Sequence, residues 1–105
     1  MLKKNVIKKN FEFQDIIHAR KQKVSKYLVA YTRKNNDEMR IGISISKKFA
    51  NAVNRNKYRR KVRSILDSLN MWNKQVDVVL ILRKAFLDLS FKEMTKEIKN
   101  ILERI

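Results

Sequence analysis

Basic side chains are concentrated in one stretch of this 105-residue chain. Between Glu38 and Asp67 there are nine lysines and arginines and no acidic residue, and eight of the nine fall within residues 47–63. A guanidinium group can donate two parallel hydrogen bonds to a phosphate, and a lysine supplies a point charge. Neutralising several phosphates also releases condensed counterions, which favours binding. The stretch therefore predicts binding to a polyanion, and nucleic acid is the commonest one.

Residues 51–69 have the spacing of an amphipathic helix. Apolar residues recur at i, i+4, i+7 and i+11 and form one narrow stripe, which consists of Tyr58, Val62, Ile65 and Leu69. Asn51 stands where a helix N-terminus would offer free backbone N–H groups to a phosphate. A basic helical face is usually only solvated, but such faces normally pair both charge signs, and residues 47–63 contain no acid. A membrane-surface helix is the other alternative, which the narrow stripe disfavours because such helices need a wide apolar face.

The composition limits the remaining possibilities. The formal net charge is +16, from 26 basic and 10 acidic residues, and a polyanionic partner would relieve the resulting self-repulsion. The chain has no cysteine, which excludes disulfides and thiolate metal sites. The longest apolar run, Val78 to Leu82, is too short to span a bilayer, and no signal peptide is recognisable. We expect one cytoplasmic domain over residues 1–105, without membrane association.

Periodicity and capping signals predict an α+β fold, a small sheet with helices mainly on one face. The predicted strands cover residues 27–33, 40–46 and 76–82, with a turn at 34–37. Asn10 is expected to cap a first helix, and the motif helix covers 51–69. Ser90 and Glu93 have capping-box spacing before a last helix. The buried stripe expected on that last helix is Phe91, Met94, Ile98, Ile101 and Ile105.

The strand at 40–46 has two different faces. One consists of Ile41, Ile43 and Ile45, and the other of Gly42, Ser44 and Ser46. The second face is small and polar, so it cannot fill a core and leaves room beside the strand. An aromatic side chain that borders a basic groove can stack single-stranded bases, worth about 1–3 kcal/mol per base. Phe13 and Tyr31 are the candidates, and core packing is the alternative for both.

Two linked segments form a longer motif. Residues 40–48 read RIGISISKK and residues 51–60 read NAVNRNKYRR. Together they resemble the signature of the bacterial ribonuclease P protein family, a strand R-x-G-L/I/V-S-L/I/V-S-K-K followed by G-N-A-V-x-R-N-R-x-K/R-R. Residues 8–13 are similar to the family's K-K-x-x-D/E-F start, and residues 77–83 to its last strand. The resemblance covers nearly the whole chain in order.

Three positions depart from the family pattern. Ala50 replaces the glycine before N-A-V, and Lys57 replaces the second arginine of R-N-R. Lysine keeps the charge but lacks the planar fork, so a bidentate phosphate contact is not expected at position 57. Ile17 stands where many members have a second aromatic residue on the first helix.

The resemblance implies an αβββαβα order with a left-handed crossover around the motif helix, where a right-handed one is the general rule. It also implies a subunit of an endoribonuclease that removes the 5′ leader of precursor tRNA. In that role the RNA subunit performs the chemistry with Mg²⁺ that it mainly binds itself. The implied partners are ribonuclease P RNA and precursor tRNA, and the protein alone is expected to be a monomer.

The resemblance assigns two sets of contact residues. Those implied to lie near the catalytic RNA are Lys47, Lys48, Asn51, Arg55, Asn56, Lys57, Arg59, Arg60 and Arg63. A cleft between the first helix and the open sheet face is implied to receive the single-stranded leader. The residues expected in that cleft are Phe13, Ile17, Tyr31, Ser44 and Ser46.

Side chains for protein-based RNA cleavage are not grouped in the sequence. The acids are scattered, and His18, the single histidine, is expected at the surface beside Arg20 and Lys21. A nuclease needs clustered carboxylates or paired acid–base residues, so we expect no catalytic residue and no metal site. A free-standing nuclease is therefore disfavoured. A general or ribosomal RNA-binding protein without an enzymatic role is the main alternative.

Overall fold

Strand Val76–Leu82 lies inside a four-stranded sheet and is buried on both faces, as its apolar sequence predicts. The computed structural model describes residues 3–105. After a 3-10 helix at Lys3–Asn5, the elements are α1 Asn10–His18, β1 Gln22–Val24, β2 Leu28–Lys34, β3 Arg40–Ile45, α2 Ala52–Leu69, β4 Val76–Leu82, α3 Lys84–Leu87 and α4 Phe91–Glu103.

The sheet has the order β1-β2-β4-β3 and is mixed. β2 is antiparallel to β1 and to β4, whereas β3 runs parallel to β4. Helix α2 is the crossover between the two parallel strands, and its left-handed sense stays an expectation from the resemblance. The predicted α+β class and element order are confirmed, with the short α3 as an addition.

The helices cover the two sheet faces unequally. α2, α3 and α4 pack on one face, where the main core includes Leu80, Phe86 and Ile98. On the other face α1 covers a smaller cluster of Ile7, Ile16 and Val79. Most of the apolar burial, which stabilises the fold, is therefore on the α2 side. The smaller cluster under α1 leaves part of β3 open.

Local signals set most helix ends. The Asn51 side chain caps α2 by accepting a hydrogen bond from the Asn54 N–H at 2.9 Å. α4 begins with the predicted capping box of Ser90 and Glu93. The prediction for α1 was wrong by one residue. Lys9 is its N-cap, without a side-chain hydrogen bond, because the first turn already closes on the Lys9 carbonyl group.

Two further expectations need correction. Phe91, predicted in the buried stripe of α4, is 50% exposed at the first position of that helix. Leu102 in the last turn is buried, which completes the stripe instead. The strand predicted over 40–46 ends at Ile45, since Ser46 begins the turn towards α2. These shifts leave the order of elements unchanged.

Candidate nucleic-acid interface

A buried carboxylate lies at the start of β4. Asp77 is 1% exposed, and both of its oxygens accept hydrogen bonds. Arg40 donates from Nε to Oδ1 and from Nη2 to Oδ2, each at 2.8 Å. Arg33 Nη2 donates to Oδ2 at 2.9 Å, and Asn35 Nδ2 to Oδ1 at 2.7 Å. The strand register explains the meeting, because Asp77 pairs with Arg33 of β2 and with Arg40 of β3.

The hydrogen bonds fix the charge states of this cluster. Burial raises the pKa of Asp77, but hydrogen bonds from Arg40, Asn35 and Arg33 outweigh it and lower the pKa to about 2. The pKa of Arg40 is raised above its ordinary value, chiefly by its hydrogen bond to Asp77. The carboxylate is therefore fully compensated by guanidinium groups. It is not available as a proton acceptor or a metal ligand.

Helix α1 is attached to the same cluster. Glu12 Oε2 accepts a hydrogen bond from Arg40 Nη2 at 2.7 Å and lies 3.9 Å from Arg33 Nη2. These contacts join the first turn of α1 to β3 and β2. They orient the helix across the sheet face and place the neighbouring Phe13 over β3. This network has no signature in the sequence, because its members lie far apart along the chain, at positions 12, 33, 35, 40 and 77.

Phe13 lies directly over the glycine of β3. A Cβ atom built on Gly42 would be 2.5 Å from Phe13 Cζ and 2.8 Å from Cε1, which is closer than side chains approach each other. Glycine is therefore required for the close approach of the ring. Phe13 is half-buried and packs against the cluster of Ile7, Ile16 and Val79. Part of the Phe13 ring therefore packs in the core and part faces solvent. Core packing, the alternative to a place in the cleft, does not exclude that place.

An open groove follows β3 between α1 and α2, which we call the β3 groove. It consists of two adjoining cavities of about 310 and 330 Å³. Both cavities are lined by Lys8, Phe13, Ile43 and Arg59. The first also contacts Gly42 and Arg63, and the second Ile17 and Ser44. The groove combines an aromatic wall, a small polar floor and cationic side chains from two elements.

The β3 groove brings together residues from both predicted sets. Arg59 and Arg63 were expected near the catalytic RNA, whereas Phe13, Ile17 and Ser44 were expected in the leader cleft. In the structure they line the same groove. The basic helix and the cleft are therefore contiguous surfaces. Arg59 lies where they meet.

The outer surface of α2 is cationic. Lys57, Arg60 and Lys61 are exposed. The ion pairs of the described residues that involve Glu12, Glu38 and Asp77 have Lys4, Arg33 and Arg40 as their basic partners, and none of these lies on α2. Arg55 donates to the Ala50 carbonyl oxygen at 2.9 Å, and Arg59 to Asn56 Oδ1 at 3.1 Å. These hydrogen bonds orient the guanidinium groups and leave their charge in place.

Two apolar side chains are exposed beside this surface. Phe49 is 41% exposed in the loop before α2, and Val53 is 67% exposed in its first turn. Lys47 and Lys48 are exposed in the same loop, and the Lys48 N–H donates to Ser46 Oγ at 3.1 Å. The apolar pair was not singled out from the sequence. The sequence signal that could have indicated them is the occurrence of apolar residues within the basic segment 47–63.

Tyr31 and Ser46, also expected in the cleft, line neither of the two cavities of the β3 groove. Tyr31 is half-buried in the cluster under α1, and its β2 position is in register with Val79 and, one strand farther, Gly42. It shares the sheet face of the β3 groove but lies two strands away from β3. His18 is exposed at the end of α1, as expected.

Two kinds of feature are absent from the described residues 3–105. They contain no group of three or more histidine, cysteine or acidic side chains that could hold a metal ion. They also contain no helix with the length and hydropathy required to cross a membrane.

The fold and its surface define a small, strongly basic α+β protein with an open cationic groove beside an edge strand. The family model described as Ribonuclease P matches residues 1–105. The ribonuclease P protein component of Mycoplasma mobile is 46% identical over 105 residues, covering 100% of this chain and 93% of the relative. That of Mycoplasmopsis pulmonis is 48% identical over 99 residues, covering 93% and 88%.

A solved structure agrees with both relatives. The RNase P protein from Thermotoga maritima superposes with a TM-score of 0.85 at 32% identity, covering 94% of this chain and 96% of that chain. The chain belongs to the ribonuclease P protein family.

Proposed function

We propose that this chain is the protein subunit of a ribonuclease P ribonucleoprotein, where it binds the catalytic RNA and the 5′ leader of precursor tRNA. The observation that supports this role most directly is the β3 groove, with Phe13 on one wall and Arg59 on the other. The relatives are named as protein components of ribonuclease P, which agrees with a second component made of RNA.

The groove suits a single strand better than a duplex. An unpaired base can stack on the exposed part of Phe13, while its phosphates meet Lys8, Arg59 and Arg63. Gly42 and Ser44 keep the floor low, so the strand can follow β3. Stacking on an aromatic ring tolerates every base, and the phosphate contacts carry no sequence information. The proposal therefore predicts weak dependence on leader sequence.

The outer face of α2 and the preceding loop suit a structured RNA. Lys47 and Lys48 are exposed in the loop, Lys57, Arg60 and Arg63 are exposed on the helix, and residues 47–63 contain no acidic residue. The α2 N-terminus adds backbone N–H groups that favour a phosphate. In this proposal the contacts to the catalytic RNA are made by Lys47, Lys48, Asn51, Arg55, Asn56, Lys57 and Arg60, with Arg59 and Arg63 shared between the two RNAs.

The protein contributes affinity and charge neutralisation in this proposal. In this proposal Mg²⁺ is bound mainly by the catalytic RNA. We assign no bond-breaking step to a protein side chain. Basic residues that neutralise phosphates of two RNAs lower the repulsion between them, which favours substrate binding at low concentrations of divalent cations.

Reconstitution with a bacterial ribonuclease P RNA tests this function. The protein is expected to stimulate cleavage of precursor tRNA at low Mg²⁺ concentration, and to raise affinity for tRNA with a leader more than for mature tRNA. A general RNA-binding protein would raise both affinities equally. Equal affinities, or no stimulation of cleavage, would overturn the proposal.

A further inference from the structure

A second cationic groove lies at the opposite edge of the sheet. Its cavity has a volume of about 380 Å³ and five basic side chains line it. These side chains are Lys21, Lys23, Lys34, Lys74 and Arg104. We call this surface the β1 groove. The strand order places β1 and β3 at the two edges, three strand spacings or about 14 Å apart.

The charge distribution shows that α2 is not the whole basic surface. Subtracting the eight cations of residues 47–63 from the total of 26 leaves 18, against 10 acidic residues. The rest of the chain therefore has a net charge of +8. The five cations of the β1 groove are a large share of this excess. Residues 47–63, with eight cations and no acid, account for only half of the total of +16.

The five cations come from separate parts of the chain. They belong to the segment before β1, to β1 itself, to the end of β2, to the loop before β4 and to the end of α4. No acidic side chain lines the cavity. Like charges that the fold brings together repel each other unless an anion lies between them. The outer surface of α4 differs, since it alternates lysines with Glu93 and Glu97.

Two of the five cations are fixed by hydrogen bonds to the backbone. Arg104 Nη1 donates to the Val24 carbonyl oxygen at 3.1 Å, which joins the end of α4 to β1. Lys74 Nζ donates to the Ile105 carbonyl oxygen at 3.2 Å. The walls of the groove are therefore held in place. Lys21, Lys23 and Lys34 are exposed and have no side-chain hydrogen bond within residues 3–105.

We infer that the β1 groove binds the phosphodiester backbone of a further RNA segment, in addition to the RNA at α2 and in the β3 groove. The inference rests on the proposed function in one respect, which is that the chain's polyanionic partner is RNA. An extended backbone supplies the successive negative charges that five cations in one groove require. The contact is independent of base sequence, because it is made by charges alone.

Matched charge variants test the inference. The variant Lys21→Gln, Lys23→Gln, Lys34→Gln removes three charges from the groove. The control Lys92→Gln, Lys96→Gln, Lys99→Gln removes three from α4, where all three side chains are exposed. Both triple variants have the same net charge of +13, three below +16. Any difference in RNA affinity between the two variants is therefore due to the location of the removed charges and not to their number.

Two affinities are measured as a function of salt concentration. One is the affinity of each protein variant for ribonuclease P RNA, and the other is the affinity of the reconstituted holoenzyme for precursor tRNA. Each lost phosphate contact reduces the slope of log K against log[salt] by about 0.7–0.9. The groove variant should lose about 2–3 from the slope for one of these RNAs, and tenfold or more in affinity at about 0.1 M salt. The RNA that shows the loss is the source of the bound segment.

A crosslinking experiment gives an independent result. The chain has no cysteine, so Lys23→Cys or Lys96→Cys introduces a single attachment site for a photoreactive group. Position 23 should crosslink to RNA in the holoenzyme and position 96 should not. Equal crosslinking from the two positions, or equal salt slopes for the two triple variants, would overturn the inference.

The same series separates this inference from the proposed function. Arg60→Gln on α2 serves as the reference variant. If Arg60→Gln weakens binding and the groove variant does not, the inference fails and the proposed function stands. If neither weakens binding, both fail. Groove-dependent binding to vesicles containing phosphatidylglycerol, without any effect on RNA, would assign the groove to a lipid surface and overturn the inference.

Discussion

Arg40 donates to Asp77 at 2.8 Å and to Glu12 at 2.7 Å, and so connects a buried strand to the helix that forms one wall of the β3 groove. This ionic network fixes the first turn of α1 against the sheet. Asp77 has no contact with the groove, yet the position of α1 depends on the guanidinium that it orients. Stability of the fold and shape of the site are coupled at this point.

Glu12→Gln should weaken leader binding although Glu12 does not line the β3 groove. The amide loses the charge that attracts Arg40 and Arg33, so the first turn of α1 is held less firmly over β3. We expect a threefold to tenfold loss of affinity for precursor tRNA, about 1 kcal/mol. Asp15→Asn is the control, since it removes the same charge from an exposed site on α1. Charge loss alone strengthens binding to RNA, so equal increases for both variants would contradict the prediction.

The pH dependence of stability should show the depressed pKa of Asp77. Its pKa is about 2 in the folded chain, against an ordinary 3.8, so its carboxylate stabilises the fold above about pH 4. That stabilisation, about 2 kcal/mol, is lost as the pH falls through 2. Urea unfolding between pH 7 and pH 2 measures it. Asp77→Asn should unfold more easily at pH 7, and its stability should fall less between pH 4 and pH 2 than that of the unchanged chain.

Gly42→Ala should displace Phe13. The new methyl group would overlap the ring, which must move or tilt, and crowding of this kind costs about 1–3 kcal/mol. Thermal unfolding and leader-dependent affinity should both decline. Combining Gly42→Ala with Phe13→Leu should restore much of the stability and none of the leader affinity, because the ring is absent. Ser44→Ala on the same strand face is the matched control and should change stability little.

Local patterns predicted α1, α2, α4 and the strands β2, β3 and β4, but not β1 or α3, and the site required tertiary contacts. The stripe containing Val62 and Ile65 and the cap at Asn51 are encoded within a few residues, so periodicity and spacing revealed them. The meeting of Phe13 with Gly42 depends on how α1 lies on the sheet. Nothing in the sequence near either residue specifies that angle.

The sequence also did not predict that the basic face of α2 and the cleft beside β3 adjoin each other. Helical periodicity places Arg59 on the basic flank of α2, but only the docking of α2 beside β3 directs it towards Phe13. In the sequence, Asp77 is a single polar residue in an apolar strand. Its role becomes clear only from the strand register, which places Arg33 and Arg40 on either side of it. Registers of this kind are set by whole-sheet pairing, which one sequence does not specify.

Tyr31→Ala should act through α1. Tyr31 packs with Phe13 and Ile17 against the cluster under that helix, so its removal loosens the wall of the β3 groove. Assembly with the catalytic RNA should be unchanged, whereas affinity for leader-bearing tRNA should decline. The variant should also lose about 2–4 kcal/mol of stability, as expected for truncating a half-buried aromatic residue. Loss of leader affinity without any loss of stability would instead indicate a direct contact between Tyr31 and RNA.

Arg59 and Arg60 should differ although they are neighbours on one helix. Arg59 lines the β3 groove together with Phe13, whereas Arg60 is exposed on the outer face of α2. Arg60→Gln should therefore weaken binding of the catalytic RNA and reduce its salt slope by about 1, with the leader contribution unchanged. Arg59→Gln should reduce both affinities. Measuring both affinities for each variant, at several salt concentrations, distinguishes the two roles. Identical behaviour of the two variants would mean that the groove and the outer face of α2 are not separate parts of the interface.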